Sequence, residues 1–283
     1  QYFIMKKDDL VCPVCSCDAS YEFTSPIDEP VYLCNDNHCK HRFIENYQIT
    51  SGLRDDENDA DVIVNYQKRI RLYADRNLAL FQSLKKGLPS LDGYIVDFGA
   101  GDGYSLQQLS QVFDPSKVIA IEAKKEFQSF IQGKGFRVVD GLSDIPDNSV
   151  SLLLLNEVIE HLPDPSSILQ NIRKKLTKNG KIYIATPLGE DIFGTRVDYT
   201  YLVRGHLHFF TQNSLNITLM KSGLMPLKRF TITSPLYCKA PATVSGMALL
   251  KSKLSQFLKI LVSKKSEVYP LQHISGITSG FMS

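Results

Sequence analysis

YIVDFGAGDGYSLQQL, residues 94–109, reads as a buried strand, a tight glycine turn and the start of an amphipathic helix. Tyr94, Ile95, Val96 and Phe98 suit a strand covered on both faces, the opening unit of a parallel α/β sheet. Gly99, Gly101 and Gly103 let the backbone approach a ligand closely and adopt angles that other residues resist. The dinucleotide fingerprint G-x-G-x-x-G would need glycine at position 104, where this chain has Tyr104. A pyrophosphate cofactor is therefore disfavoured, and the absence of a following G-K-[ST] removes the P-loop.

Acidic Asp97, just before the glycines, would repel phosphates and fits a ligand carrying an amino group and a sulfonium. Outward from the turn the α/β register continues. Residues 117–122, KVIAIE, read as the next strand, and Glu122 stands about twenty residues beyond the turn, where a carboxylate can accept hydrogen bonds from both ribose hydroxyls. RVVD (137–140) reads as a third strand, VSLLLLN (150–156) as a fourth, KIYIAT (181–186) as a fifth and PLKRFTIT (226–233) as a later one. Asn156 and Glu157 then stand at the carboxyl edge of the sheet, where ligands of open α/β folds bind.

Taken together, DFGAGDG (97–103), the strand ending in IAIE (119–122) and LLNEVIEHLPDP (154–165) resemble the class I S-adenosylmethionine-dependent methyltransferases, especially a bacterial group acting on small molecules. The resemblance spans roughly residues 90–235 and implies a Rossmann-like α/β sheet with helices on both faces. It implies that Asp97, Gly99, Gly101 and Gly103 wrap the methionine moiety and that Glu122 binds the ribose. The adenine would rest on the segment 141–144, including Leu142 and Ser143, with Asn156 and Glu157 completing the cofactor site.

A separate chemistry precedes this domain. Five of six cysteines lie between positions 12 and 39. Cys12-Pro-Val-Cys15 and Cys34-Asn-Asp-Asn-His-Cys39 form two knuckles around an 18-residue spacer that reads as a hairpin. Two thiolate pairs aimed at one centre are the tetrahedral set that Zn²⁺ prefers, and a site closed by four protein ligands is structural. Cys12, Cys15, Cys34 and Cys39 are the leading set, Cys17 a spare thiol, and His38 and His41 rival ligands because four residues separate Cys34 from Cys39. A disulfide pair or free thiols is the alternative.

Methyl transfer from a sulfonium needs an aligned acceptor and, for a hydroxyl or acidic carbon, removal of a proton. Histidine is the natural base near neutral pH. Two groups qualify: Glu160 with His161 after the fourth strand, and His206 with His208 in HLHFFT (206–211) after the fifth. The resemblance to sugar methyltransferases with an amino-terminal zinc module favours His208 as base. Alternation along an extended segment would put His206 and His208 on one side.

Net charge is +2, which lacks the basic excess that phosphate attraction exploits and favours a small-molecule substrate, plausibly a sugar or nucleotide sugar. The alternatives are an RNA methyltransferase whose zinc module grips nucleic acid and a non-catalytic binding protein that keeps the fold. No apolar run approaches the ~18–20 residues of a bilayer span, so a cytoplasmic protein is the simplest expectation. The expected organisation is a zinc-binding, zinc-ribbon-like module over 1–50, a helical linker or lid over 51–90, the cofactor-binding domain over 91–240 and a helix with tail over 241–283. Within it, 54–61 (RDDENDAD) is a solvated linker or helix start, apolar positions between Val62 and Leu84 suit a helix or helix pair able to cover the mouth of the domain, and 247–262 read as a basic amphipathic helix packed on the domain or a second subunit.

Overall fold

The computed structural model describes residues 10–25, 29–44, 66–88, 91–189, 205–234 and 255–264. A seven-stranded sheet forms the body. Its strands are β4 (Tyr94–Phe98), β5 (Val118–Ile121), β6 (Arg137–Val139), β7 (Val150–Asn156), β8 (Leu176–Pro187), β10 (Leu224–Ser234) and β11 (Ser255–Lys264). Their order is β10-β11-β8-β7-β4-β5-β6. The five strands from β6 to β8 are parallel, whereas β11 runs antiparallel to both β8 and β10.

The helices are α1 (Tyr66–Lys86), α2 (Leu106–Val112), α3 (Lys125–Gly133), α4 (Pro165–Lys175) and α5 (Gln212–Lys221). They cover both faces. On β7, Leu152 and Leu154 pack with Phe81 and Leu84 of α1, Leu106 and Leu109 of α2 and Ile131 of α3. Leu153 and Leu155 point the other way, onto Leu169 and Ile172 of α4 and Leu215 and Leu219 of α5. This two-residue alternation is why the strand reads as a continuous apolar run: each face has a helical layer to fill, and each fully buried leucine contributes about 1.5–3 kcal/mol.

One expectation changes. Residues 255–264 form a β-strand, so the helix expected over 247–262 is absent from its described part; 247–254 lie outside the described residues. The apolar run FLKILV (257–262) carries no period that separates helix from strand. Its pairing decides, since Phe257 to Ser263 register against Pro187 to Lys181 and the other edge against β10. In α1, Phe81 and Leu84 are buried in the core beside α2. The expected linker 54–61, Cys238 and the tail 272–281 lie outside the described residues.

The cysteine segment folds as the expected hairpin, β1 (Ala19–Thr24) with β2 (Pro30–Cys34), followed by β3 (Arg42–Ile44). Arg42 donates twice to Glu22, at 2.6 and 2.8 Å, tying β3 to β1. The sheet then takes a fourth strand from the body, β9 (His208–Phe209), antiparallel to β3. Leu10, Cys12, Cys34, Cys39 and Phe43 share one continuous core with the α4/α5 face. Among the described residues no helix is long and apolar enough to cross a membrane.

Candidate active site

The carboxyl ends of β4, β5 and β7 open on a cavity of about 850 Å³. The turn after β4 holds left-handed angles at Gly99 (φ 72°), Gly101 (φ 56°) and Gly103 (φ 68°), where a side chain would be strained. A Cβ on Gly99 would strike Val158 at 2.7 Å, while one on Gly101 would meet nothing within 4 Å and stand on the cavity wall. The turn is tied to the next strand by Glu122, whose carboxylate accepts from the backbone N–H of Gly101 at 2.7 Å and of Lys124 at 2.9 Å. Burial raises the Glu122 pKa, and these two N–H groups oppose that rise. An acid held there on the cavity wall fits a ribose diol.

Asp97 sits differently from the expectation. It is buried, does not line the cavity, and accepts a 2.6 Å hydrogen bond from Ser105 Oγ. Ser105 occupies the N-cap of α2 without using its side chain as a cap, so the hydroxyl serves the strand–helix junction instead. Burial pushes the Asp97 carboxyl up to about 6, against the Ser105 bond. Leu142, Ser143, Asn156 and Glu157 all line the cavity, as does Tyr104, whose hydroxyl accepts from Asn156 Nδ2 at 3.2 Å. The residue that breaks the dinucleotide pattern thus shapes the pocket. Glu157 carries a left-handed backbone, φ 60°, which costs a non-glycine residue about 1–3 kcal/mol and clusters at functional sites. Its N–H donates to Ala185 O at 2.8 Å, fixing the bend.

Four candidate acid–base residues separate into two places. Glu160, His161 and His206 bring one ligand atom each within 4.8 Å of one another. His161 lines the cavity, while Glu160 and His206 are buried behind it. His161 Nδ1 lies 2.7 Å from the carbonyl oxygen of Gly205, which can only accept, so Nδ1 is the donor of that bond. Glu160 Oε2 accepts from Thr186 Oγ1 at 2.9 Å, and the Glu160 carbonyl accepts from Leu207 N–H at 2.9 Å.

His208 is not with them. It lines no part of the cavity; its Nδ1 lies 3.0 Å from Nε2 of His41, whose Nδ1 lies 3.3 Å from Ser214 Oγ. Burial pushes His208 down to about 4 and His41 well below the usual imidazole value, so both are neutral near pH 7. The two histidines take different ring neighbours: His206 meets His161 edge-on at 4.5 Å, and His208 stacks on His41 at 5.3 Å and Phe210 at 5.5 Å.

Cys12, Cys15, Cys34 and Cys39 place four sulfurs within 4.8 Å of one another. The Cys12–Cys39 and Cys15–Cys34 sulfurs are 3.9 and 3.3 Å apart, far beyond the ~2.05 Å of a disulfide. They fit the edges of a tetrahedron with metal–sulfur bonds of about 2.3 Å. Hydrogen bonding with Cys39 lowers Cys12 to about 5, and burial pushes Cys34 up to about 12. Cys17 is exposed, and neither His38 nor His41 joins the set. Ser105 and Thr186 are site residues that the sequence did not single out, each an ordinary polar residue until its partner is adjacent in space, and His41, expected only as a rival zinc ligand, pairs with His208 instead.

A family model described as a methyltransferase domain matches residues 66–228, more than half of the chain. The chain belongs to that family. It is an S-adenosylmethionine-dependent methyltransferase, and the cavity is where its cofactor is expected. No curated protein matches it in sequence. In fold it is similar to YcgJ from Bacillus subtilis, at 16% identity and a TM-score of 0.51, over 68% of this chain and 99% of that one. It is also similar to a chain of the complex between the Haloferax volcanii Trm112 methyltransferase activator and a methyltransferase, at 17% identity and a TM-score of 0.55, over 75% of this chain and 96% of that one. These likenesses concern the fold.

Proposed function

We propose that this methyltransferase acts on a small molecule, a sugar or nucleotide sugar, at a hydroxyl presented beside Glu160, His161 and His206. The observation that carries the reading is the cavity itself: about 850 Å³, within the size of small-ligand sites, lined by the glycine turn, Glu122 and His161 together. One cavity therefore accommodates the cofactor and a compact acceptor. Net charge of +2 gives no extended field for a phosphate backbone.

In this reading Glu122 holds the ribose, Gly99, Gly101 and Gly103 admit the methionine moiety, and Leu142 and Ser143 flank the adenine. The cofactor supplies an electrophilic methyl on a sulfonium. His161, on the cavity wall with Nδ1 bonded to Gly205, orients the acceptor and receives its proton at the other ring nitrogen. His206 and Glu160 hold that ring in place. Asp97 acts indirectly by fixing Ser105 and with it the turn.

We further propose that Cys12, Cys15, Cys34 and Cys39 hold one structural Zn²⁺, whose role is to brace β3 against β9 and so set the position of the 205–208 segment. The donor set is all thiol and buried or half-buried, which suits a closed zinc site. The test of the substrate class is transfer of labelled methyl from the cofactor, offered to a fractionated metabolite and nucleotide-sugar pool and, in parallel, to undermethylated ribosomal RNA. Label in the small-molecule fractions, only mildly salt dependent, is the expected result. Label in RNA with steep salt dependence overturns it.

A further inference from the structure

We propose that Glu160, His161 and His206 form a second metal site, for a first-row divalent cation that binds the acceptor's hydroxyl oxygen. The proposal rests on the small-molecule hydroxyl reading above and changes one role in it: with the cation bound, His161 ligates the metal and cavity water takes the hydroxyl proton. Three side chains bring ligand atoms within 4.8 Å of one another: one carboxylate oxygen and two imidazole nitrogens. Two imidazoles with one carboxylate is a donor set for zinc, iron, cobalt or manganese rather than for calcium. It supplies three ligands, so further coordination positions stay open, which distinguishes a substrate-binding site from the closed tetrathiol set.

The surroundings have the form that metal ligands require. A ligating histidine characteristically donates its other ring N–H to a backbone carbonyl, and His161 Nδ1 does so to Gly205 at 2.7 Å. A ligating carboxylate is itself hydrogen-bonded, and Glu160 Oε2 is held by Thr186 at 2.9 Å. The Leu207 N–H to Glu160 carbonyl bond locks the two contributing segments together. Glu160 is 1% and His206 4% exposed, so the cluster is shielded except where His161 meets the cavity. Its open side is the acceptor's side.

A cation there acts as a Lewis acid. It lowers the pKa of a bound hydroxyl, whose proton leaves to cavity water, and holds the resulting alkoxide. The alkoxide oxygen then forms a bond to the methyl carbon as the carbon–sulfur bond breaks, its electron pair staying on sulfur to give a neutral thioether. A pair of adjacent oxygens, as in a vicinal diol or a hydroxy-carbonyl unit, fills two open positions at once, so the geometry points to a chelating acceptor.

The experiment loads zinc-containing protein with Mn²⁺ and, separately, with Zn²⁺, removes free ion by gel filtration, and counts metal per chain by elemental analysis, with bound Mn²⁺ read by electron paramagnetic resonance. Wild type should carry one metal beyond that of the cysteine set. Glu160→Gln and His206→Gln should each weaken the extra metal by more than ~10²-fold, beyond the effect of an outer-shell partner. His161→Gln provides a third reading should either variant fail to fold. No extra metal in wild type, or full retention in folded Glu160→Gln and His206→Gln, overturns the site. Methyl transfer to a small molecule by protein free of the extra metal overturns this site and leaves the proposed function standing. Extra metal lost in the variants, but label appearing only in RNA, supports the site and overturns the substrate reading.

Discussion

Nε2 of His41 lies 3.0 Å from Nδ1 of His208, with both rings buried, so the cysteine-bearing sheet and the methyltransferase body are joined by a bond between two neutral imidazoles. Thr211 adds to the junction. Its hydroxyl donates to the Cys39 carbonyl and accepts from Ser214 N–H, so the N-cap of α5 is also a module contact. Removing one imidazole leaves the other buried without its partner, which costs about 1–3 kcal/mol. His208→Ala should therefore lower the unfolding free energy by about that amount while leaving cofactor affinity within ~2-fold. Thermal unfolding and calorimetry on the same protein check it; a large loss of affinity would put His208 in the cofactor site.

His161→Ala should reduce turnover by ~10²- to 10⁴-fold with little change in cofactor affinity, as expected when the group facing the acceptor proton is lost. Single-turnover transfer to the accepting metabolite fraction reads it. Turnover unaffected by the change would remove His161 from the chemistry.

Glu122→Ala should weaken cofactor binding by ~10- to 100-fold, since it removes a charged acceptor whose hydrogen bonds are each worth about 1.5–3 kcal/mol. Gly101→Asp should abolish binding outright: the φ of 56° strains any side chain, and the new carboxylate would enter the cavity. Calorimetric titration with S-adenosylmethionine distinguishes the two. Binding of both variants at wild-type affinity would contradict the site.

Asp97 predicts a pH effect of definite sign. Its folded pKa is raised to about 6 from 3.8, so between about pH 4 and 6 the folded state keeps a proton that the unfolded chain releases. The stabilising contribution is complete below about pH 4 and is lost as pH rises through 6. Asp97→Asn should accordingly raise stability at pH 7–8 by on the order of 1–3 kcal/mol and have little effect at pH 4. Denaturant unfolding at the two pH values checks it, and equal effects at both would show that ionisation is not the cause.

Cys12→Ser with Cys15→Ser should remove one zinc per chain by elemental analysis, loosen the β3–β9 pairing and lower turnover more than cofactor affinity. Hydrogen exchange at Phe43 and Phe209 reports the pairing. Unchanged protection there after zinc loss would mean that the metal does not brace the junction.

The sequence by itself determined the glycine turn, the acid after the second strand, the five parallel strands and the four cysteines. Each depends on interactions close along the chain: an apolar run between helical patterns, glycine where φ is positive, a thiol pair on one turn. Only the tertiary structure decided the rest. Residues 257–262 became a strand because β8 and β10 pair with both its edges, a contact separated from it by dozens of residues. His206 and His208, two positions apart, went to different neighbours because His161 and His41 approach from different segments. Asp97 took its hydrogen bond from Ser105 and Glu160 from Thr186 of β8. A side chain's type is written in the sequence, but its hydrogen-bond partner is set by the packing of elements far apart in the chain, and that partner decides whether it binds, braces or reacts.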